Sequence, residues 1–177
     1  MVYLFLADGF EEIEALSCVD ILRRAGIEIL TAGVTGKIVA GAHGINVEAD
    51  LLIDECRDDA EMVILPGGSV GTDNLAASGR VASLVKDAAA RNAYVAAICA
   101  APTLLGGLGL LEGRRAVCYP GLERRLTGAI RSDDRVCIDG RFITSRGPGT
   151  TSEFALTLVE ILKDRQTAEK LRKGMLW

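Results

Sequence analysis

Tyr94-Val95-Ala96-Ala97-Ile98-Cys99-Ala100-Ala101-Pro102-Thr103 is the stretch on which the fold turns. Its first five residues form an apolar run with β-branched members, which reads as a buried strand. The small residues and proline that follow open a helix, where a proline is tolerated because the first-turn N–H groups have no partner anyway. Between strand and helix stands one reactive side chain, the pattern of a nucleophile elbow. Such a turn lifts its residue out of the sheet and aims it at the positive end of the next helix. For Cys99 that placement predicts a thiol biased towards the thiolate, its reactive form.

Outward from the elbow, no charged residue occurs between Asn92 and Leu111. The run is long enough by count to span a bilayer. Pro102, Gly106, Gly107 and Gly109 would break a single spanning helix, so a central strand followed by a buried helix is expected instead. Before it, the chain reads as strand Val2–Ala7, helix Glu11–Ala25 ending at Gly26 as a C-cap, strand Ile27–Ala32, a Gly-punctuated stretch to Asp50 able to hold a small hairpin, strand Glu61–Leu65 and helix Ser78–Arg91. Beyond the helix Pro102–Leu111, a strand is expected over Arg115–Tyr119 and a helical turn over Pro120–Leu126. Arg135–Ile138 and Arg141–Ser145 flank Asp139-Gly140, a strong hairpin signal. Helices over Thr150–Lys163 and Thr167–Lys173 complete the reading. Repeated βα units predict an α/β fold with a mostly parallel sheet, helices on both faces and a small β-hairpin.

Composition sets the frame for function. The 177 residues are 49% hydrophobic with a formal net charge of −4, which suits one domain over residues 1–177 that buries a full core. Basic residues are scattered or paired, with no stripe to attract nucleic acid. The five cysteines include no CxxC pair, so neither a disulfide framework nor a zinc knuckle is expected, and a cytoplasmic setting fits. The apolar N-terminus lacks a basic leader and cleavage site, and reads as the first strand rather than a signal peptide. Cys18 is expected as a buried small hydrophobe, Cys118 and Cys137 as structural strand residues, and Cys56 as an exposed thiol.

In open α/β sheets, functional residues gather at the carboxyl ends of the strands. Three such ends stand out: Asp8-Gly9-Phe10-Glu11-Glu12-Ile13-Glu14, Leu65-Pro66-Gly67-Gly68-Ser69 and Ile98-Cys99-Ala100. Neighbouring strands would bring together a thiol, a carboxyl and a glycine turn whose backbone N–H groups can hold an oxyanion.

These segments carry a resemblance. Gly9-Phe10-Glu11-Glu12-Ile13-Glu14, Leu65-Pro66-Gly67-Gly68, Ala96-Ala97-Ile98-Cys99-Ala100-Ala101-Pro102-Thr103 and Thr144-Ser145-Arg146-Gly147-Pro148-Gly149-Thr150 resemble motifs of the ThiJ/PfpI superfamily, in its DJ-one branch, and occur in the family's order. The resemblance implies a flavodoxin-like three-layer sandwich and a homodimer. It marks Cys99 as the nucleophile, Glu14 as the carboxyl beside it, and the backbone N–H groups of Gly68 and Ala100 as the oxyanion site. The activity implied is a metal- and cofactor-independent glyoxalase or deglycase acting on small reactive carbonyls, with protection from oxidative stress and chaperone-like behaviour. An alternative is a redox sensor or redox-regulated chaperone working through oxidation of Cys99.

The chain departs from the pattern in two places. Tyr119 stands where many relatives place a histidine near the cysteine, and Ala100 rather than histidine follows Cys99. No Cys-His dyad is read at these positions, so a protease or amidotransferase is not expected. The one histidine, His43, stands where relatives often carry arginine, in a segment that in the family approaches the partner subunit's site. Two readings stay open for His43: a solvated loop histidine, or a group contributing proton transfer or anion binding across the dimer.

Overall fold

The computed structural model describes residues 1–177. Its central layer is a seven-stranded sheet, ordered β10-β11-β7-β6-β1-β2-β5. The strands are β1 (Val2–Leu6), β2 (Ile29–Gly33), β5 (Leu51–Leu52), β6 (Met62–Leu65), β7 (Tyr94–Ile98), β10 (Val136–Asp139) and β11 (Phe142–Ser145). All neighbours run parallel except the β10–β11 hairpin, which turns at Asp139-Gly140. β1 and β6 are buried at every position, which explains why the central strands read as continuous apolar runs.

Alternation along these strands divides the core between the two faces. Val2, Leu4, Leu6, Ile64, Ala96 and Ile98 point to the side covered by helices α1 (Glu12–Arg24) and α5 (Thr151–Leu162), where Phe154 and Leu158 are fully buried. Tyr3, Phe5, Val63, Leu65, Val95 and Ala97 point to the opposite side, under α3 (Gly79–Ala90) and α4 (Pro102–Gly107). This is the three-layer, flavodoxin-like α/β sandwich expected from the sequence. No helix is long and apolar enough to cross a membrane.

Helix ends follow local chemistry. α1 carries Glu12 and Glu14 in its first turn and Arg23 and Arg24 in its last, each sign complementing the helix dipole. It stops at Gly26, whose φ of 72° suits a residue without a Cβ and whose N–H donates to the Arg23 carbonyl. Ser78 caps α3 by accepting from the Val81 N–H at 3.3 Å. Asp164 caps α6 (Arg165–Gly174) by accepting from the Thr167 N–H at 2.6 Å.

Several boundaries differ from the sequence reading. The stretch after β2 does hold a hairpin, β3 (Ile38–Ala40) with β4 (Asn46–Glu48), antiparallel and outside the main sheet. A helix not expected from the sequence, α2 (Ser69–Ala77), follows β6 directly. The helix expected over Pro102–Leu111 stops at Gly107, and Gly109 beyond it adopts a φ of 73°. Only β8 (Arg115–Ala116) of the strand expected over Arg115–Tyr119 forms. It pairs with β9 (Ile130–Arg131) in a separate two-stranded ladder, so Cys118 lies outside any strand. Past β8 the backbone is drawn to a side chain, the Val117 N–H donating to Thr144 Oγ1 at 3.0 Å. Cys56, expected exposed, is buried in the α3-side core.

Candidate active site

The order β7-β6-β1 sets the three singled-out strand ends side by side. β7 runs directly into Cys99, which adopts a φ of 65°. That left-handed conformation is costly for a residue with a Cβ, and strain of this kind persists only where neighbours hold it. Here the Cys99 N–H donates to the Ser145 carbonyl at 3.0 Å, and its own carbonyl accepts from the Tyr119 N–H at 2.7 Å. The elbow is therefore clamped from β11 on one side and the loop after β8 on the other.

Glu14 reaches the elbow from the first turn of α1. Its side chain is fully buried, and Oε2 accepts from the Gly67 N–H at 2.7 Å. Oε1 has no hydrogen-bond partner, the one carboxylate oxygen so placed. Gly67 has no room for a side chain. A Cβ there would lie 2.5 Å from Cys99 Cβ, 2.6 Å from Glu14 Oε2 and 3.0 Å from Cys99 Sγ. The glycine thus lets its N–H reach the carboxyl while carboxyl and thiol share one small space. Gly68, with a φ of 90°, is packed on the loop after β1, where a Cβ would meet the Gly9 carbonyl oxygen at 2.2 Å. Gly68 and Ala100 line one cleft with Cys99, and their backbone N–H groups favour its anion. The four residues singled out from the sequence, Cys99, Glu14, Gly68 and Ala100, come together at one point.

Electrostatics correct one expectation. Burial, and next the neighbouring Glu14 carboxylate, push the Cys99 thiol up to about 12, against the pull of the two N–H groups. Burial and an ionised Glu14 both oppose the standing thiolate expected from the elbow alone. Burial lifts Glu14 itself to about 7, against the neighbouring Cys99 thiol and the Gly67 N–H, which favour its charge. Near neutral pH, the carboxyl is poised both to give and to take a proton.

The sulfur opens into a cleft of about 360 Å³, lined among others by Glu11, His43, Gly68, Cys99, Ala100 and Tyr119. His43 lies in the turn of the β3–β4 hairpin. The hairpin is tied to the loop after β1 by Ala40 N–H to Asp8 Oδ1 at 2.8 Å, Gly9 N–H to the Ala40 carbonyl at 2.7 Å, and Ala42 N–H to the Phe10 carbonyl at 2.8 Å. Glu12, which the sequence reading did not single out, anchors the histidine. Its buried carboxylate accepts from the His43 N–H through Oε1 and contacts His43 Nδ1 through Oε2, each at 2.7 Å. Gly41 makes room for it, since a Cβ there would fall 2.3 Å from Glu12 Oε1. The signal in the sequence was the second carboxylate of Glu11-Glu12, but its partner lies 31 residues away. Ligand atoms of Glu11, Glu12 and His43 lie within 4.8 Å of one another. Within that group, His43 Nδ1 and Glu12 Oε2 are already engaged with each other.

An elbow cysteine on a flavodoxin-like sheet, with a buried carboxyl at its sulfur and backbone donors around it, defines a class of cysteine-centred α/β proteins. The DJ-1/PfpI family model matches residues 1–161, and the chain belongs to that family, in its DJ-1 branch. It is 37% identical over 174 residues to Protein DJ-1 homolog B of Arabidopsis thaliana, covering 97% of this chain and 40% of that relative. The chain therefore spans less than half of the plant protein's length. It is 34% identical over 168 residues to Glutathione-independent glyoxalase DJR-1.2 of Caenorhabditis elegans, covering 93% of this chain and 89% of the relative. Among solved structures, oxidised Toxoplasma gondii DJ-1 matches with a TM-score of 0.96 at 36% identity, over 99% of this chain and 97% of that one.

Proposed function

We propose that the protein is a cofactor-independent glyoxalase or deglycase of the methylglyoxal class, with Cys99 as nucleophile, Glu14 as proton carrier, and Gly68 and Ala100 as oxyanion donors. The observation that carries this reading is the buried Glu14 carboxyl, lifted to about 7 by that burial and sharing its space with the Cys99 thiol. The C. elegans relative's name supports the substrate class.

The chemistry runs from these residues. As Cys99 sulfur attacks the aldehyde carbon of methylglyoxal, the Glu14 carboxylate takes the thiol proton. The carbonyl oxygen gains charge within reach of the Gly68 and Ala100 N–H groups and is then protonated, giving a hemithioacetal. Isomerisation moves one proton from the former aldehyde carbon to the ketone carbon and another between their oxygens. The product is a thioester, which water cleaves to lactate and the free thiol. No electrons are lost or gained overall. With the hemiaminal of an amine as substrate, the sulfur bonds to the same carbon as its C–N bond breaks, the amine leaves with the thiol proton relayed by Glu14, and the resulting hemithioacetal follows the same course. Self-association as a homodimer, a cytoplasmic role in carbonyl and oxidative stress, and chaperone-like behaviour belong to this reading through the family resemblance.

A second reading, in which oxidation of Cys99 is itself the functional event, draws on the oxidised state of the Toxoplasma relative. One experiment separates the two. Methylglyoxal-to-lactate turnover is measured for wild type, Cys99→Ser and Glu14→Gln, beside intact-mass analysis after mild peroxide. Turnover that depends on both residues supports the enzyme. No turnover in wild type, with a two-oxygen adduct on Cys99, supports the sensor and rejects the enzyme.

A further inference from the structure

The proposed isomerisation needs two proton transfers, one between carbons and one between oxygens. Glu14 is buried beneath the cleft, sharing the space at Gly67 with the Cys99 sulfur, and suits the first. The site has no group assigned to the second.

We infer that His43 and Glu12 form a second acid–base pair in this cleft, His43 exchanging protons with the substrate oxygens and Glu12 acting as its positioning residue. The inference rests on the glyoxalase reading above. Its basis is geometric. His43 lines the same cleft as Cys99 within one chain. Its Nδ1 is 2.7 Å from Oε2 of Glu12, a carboxylate that is itself buried and fixed by the His43 backbone N–H. With Nδ1 held as the donor to Glu12, Nε2 is the nitrogen left to exchange a proton with a ligand. A nucleophile, an imidazole and a carboxylate that orients the imidazole repeat the logic of known catalytic triads, here with the imidazole serving the substrate rather than the thiol.

The surroundings favour a proton donor. His43 faces Glu12 and, at 3.7 Å, Glu11, both at the start of α1. From the other elements, the cleft presents only the Cys99 thiol and the Tyr119 phenol as titratable groups. The Glu12 hydrogen bond, and next the Glu11 and Glu12 charges, raise His43 above the ordinary histidine value. Burial resists ionisation of Glu12, but its hydrogen bonds from the His43 side chain and backbone outweigh that and hold it below the usual carboxylate range. Both shifts favour the pair in its carboxylate and imidazolium form. In the isomerisation, the Nε2 proton goes to the ketone oxygen as that carbon is reduced to the alcohol level. Nε2 then recovers a proton from the hydroxyl on the carbon that becomes the thioester, so the pair ends as it began.

The test uses the full chain and the methylglyoxal-to-lactate assay across pH, with His43→Asn, Glu12→Gln and the double variant. Turnover should fall about a hundredfold in each single variant, and the double variant should be no worse than either single, because the two residues act as one unit. Wild-type kcat should decline on the alkaline side as His43 loses its proton. That decline should vanish in His43→Asn and move to lower pH in Glu12→Gln. Because His43 is the only histidine, its proton NMR titration reads the same shift without turnover. His43 is exposed, so His43→Asn remains informative should Glu12→Gln fold poorly. Wild-type kcat and pH profile in His43→Asn would overturn the inference while leaving the glyoxalase reading intact. Wild-type activity lost to a chelator would also overturn it, assigning the cluster to a cation. Absence of wild-type turnover would reject both.

Discussion

Glu14→Gln separates the acidity of the buried carboxyl from everything else in the fold. Glu14 titrates at about 7 in place of its ordinary 4.5, burial being the main cause. The native state thus prefers the neutral carboxyl. Its favourable contribution is complete below pH 4.5 and is lost as pH rises through about 7. Ionising this one group costs the fold about 3 kcal/mol, the free-energy equivalent of that change in acidity. Glutamine is close in shape and neutral throughout, and its amide oxygen can still accept from the Gly67 N–H. Near pH 4.5 the variant and wild type should be of similar stability. At about pH 8 the variant should be the more stable by about 3 kcal/mol, or roughly 6–12 °C in Tm for a chain of this size. The assay is thermal unfolding of both proteins across this window, read as the difference between them. Groups common to both, such as Glu12 and Asp50, cancel. A difference that stays constant with pH, or a wild type that gains on the variant as pH rises, would refute the reasoning. The expected gain also states why the carboxyl stays: an acid–base group tuned to neutral pH is held at the expense of stability.

Other substitutions probe the frame of the site. Gly67→Ala places a Cβ against Cys99 and Glu14 and should cost about 1–3 kcal/mol in urea unfolding while abolishing turnover; wild-type stability and activity would contradict the packing described. Asp50 Oδ2 accepts from Thr31 N at 2.8 Å, Thr31 Oγ1 at 2.9 Å and Arg23 at 2.6 Å. Burial works against its ionisation, yet these partners hold Asp50 below its ordinary 3.8. Its contribution is present above pH 3.8 and lost as pH falls through the native value, so Asp50→Asn should destabilise by about 1–3 kcal/mol at neutral pH and much less in strong acid. Equal losses at both would contradict that sign. Phe154→Ala, emptying a fully buried position between α5 and the sheet, should cost roughly 3–5 kcal/mol in the same assay.

The parts of this molecule legible in its sequence are those decided locally. β1, β6 and β7 are buried on both faces, so composition alone marks them, and Gly26 and Asp139-Gly140 name their own turns. α2 was not legible because nothing local demands it. Its nine residues include Gly71 and little helical periodicity, and it is held by tertiary contacts: the Gly71 N–H on the Gly9 carbonyl at 3.1 Å and Asn74 Nδ2 on the Asp8 carbonyl at 2.8 Å. The site divides the same way. Cys99, Glu14, Gly68 and Ala100 sit in compact motifs at strand ends, where topology brings them together. Glu12 and His43 meet only because a hairpin folds back over the start of α1. The acidity of Cys99 is only half legible, because the elbow geometry is local, whereas the burial and the charge of Glu14 that oppose it are not.

The most direct measurement of the central claim is the pH dependence of kcat/KM for methylglyoxal in wild type and Glu14→Gln. If the Glu14 carboxylate takes the Cys99 proton during attack, the wild-type value rises as pH increases through about 7, and Glu14→Gln loses both the rise and most of the activity. A wild-type profile that is flat through that region, or a Glu14→Gln variant that keeps the same rise, would contradict the account.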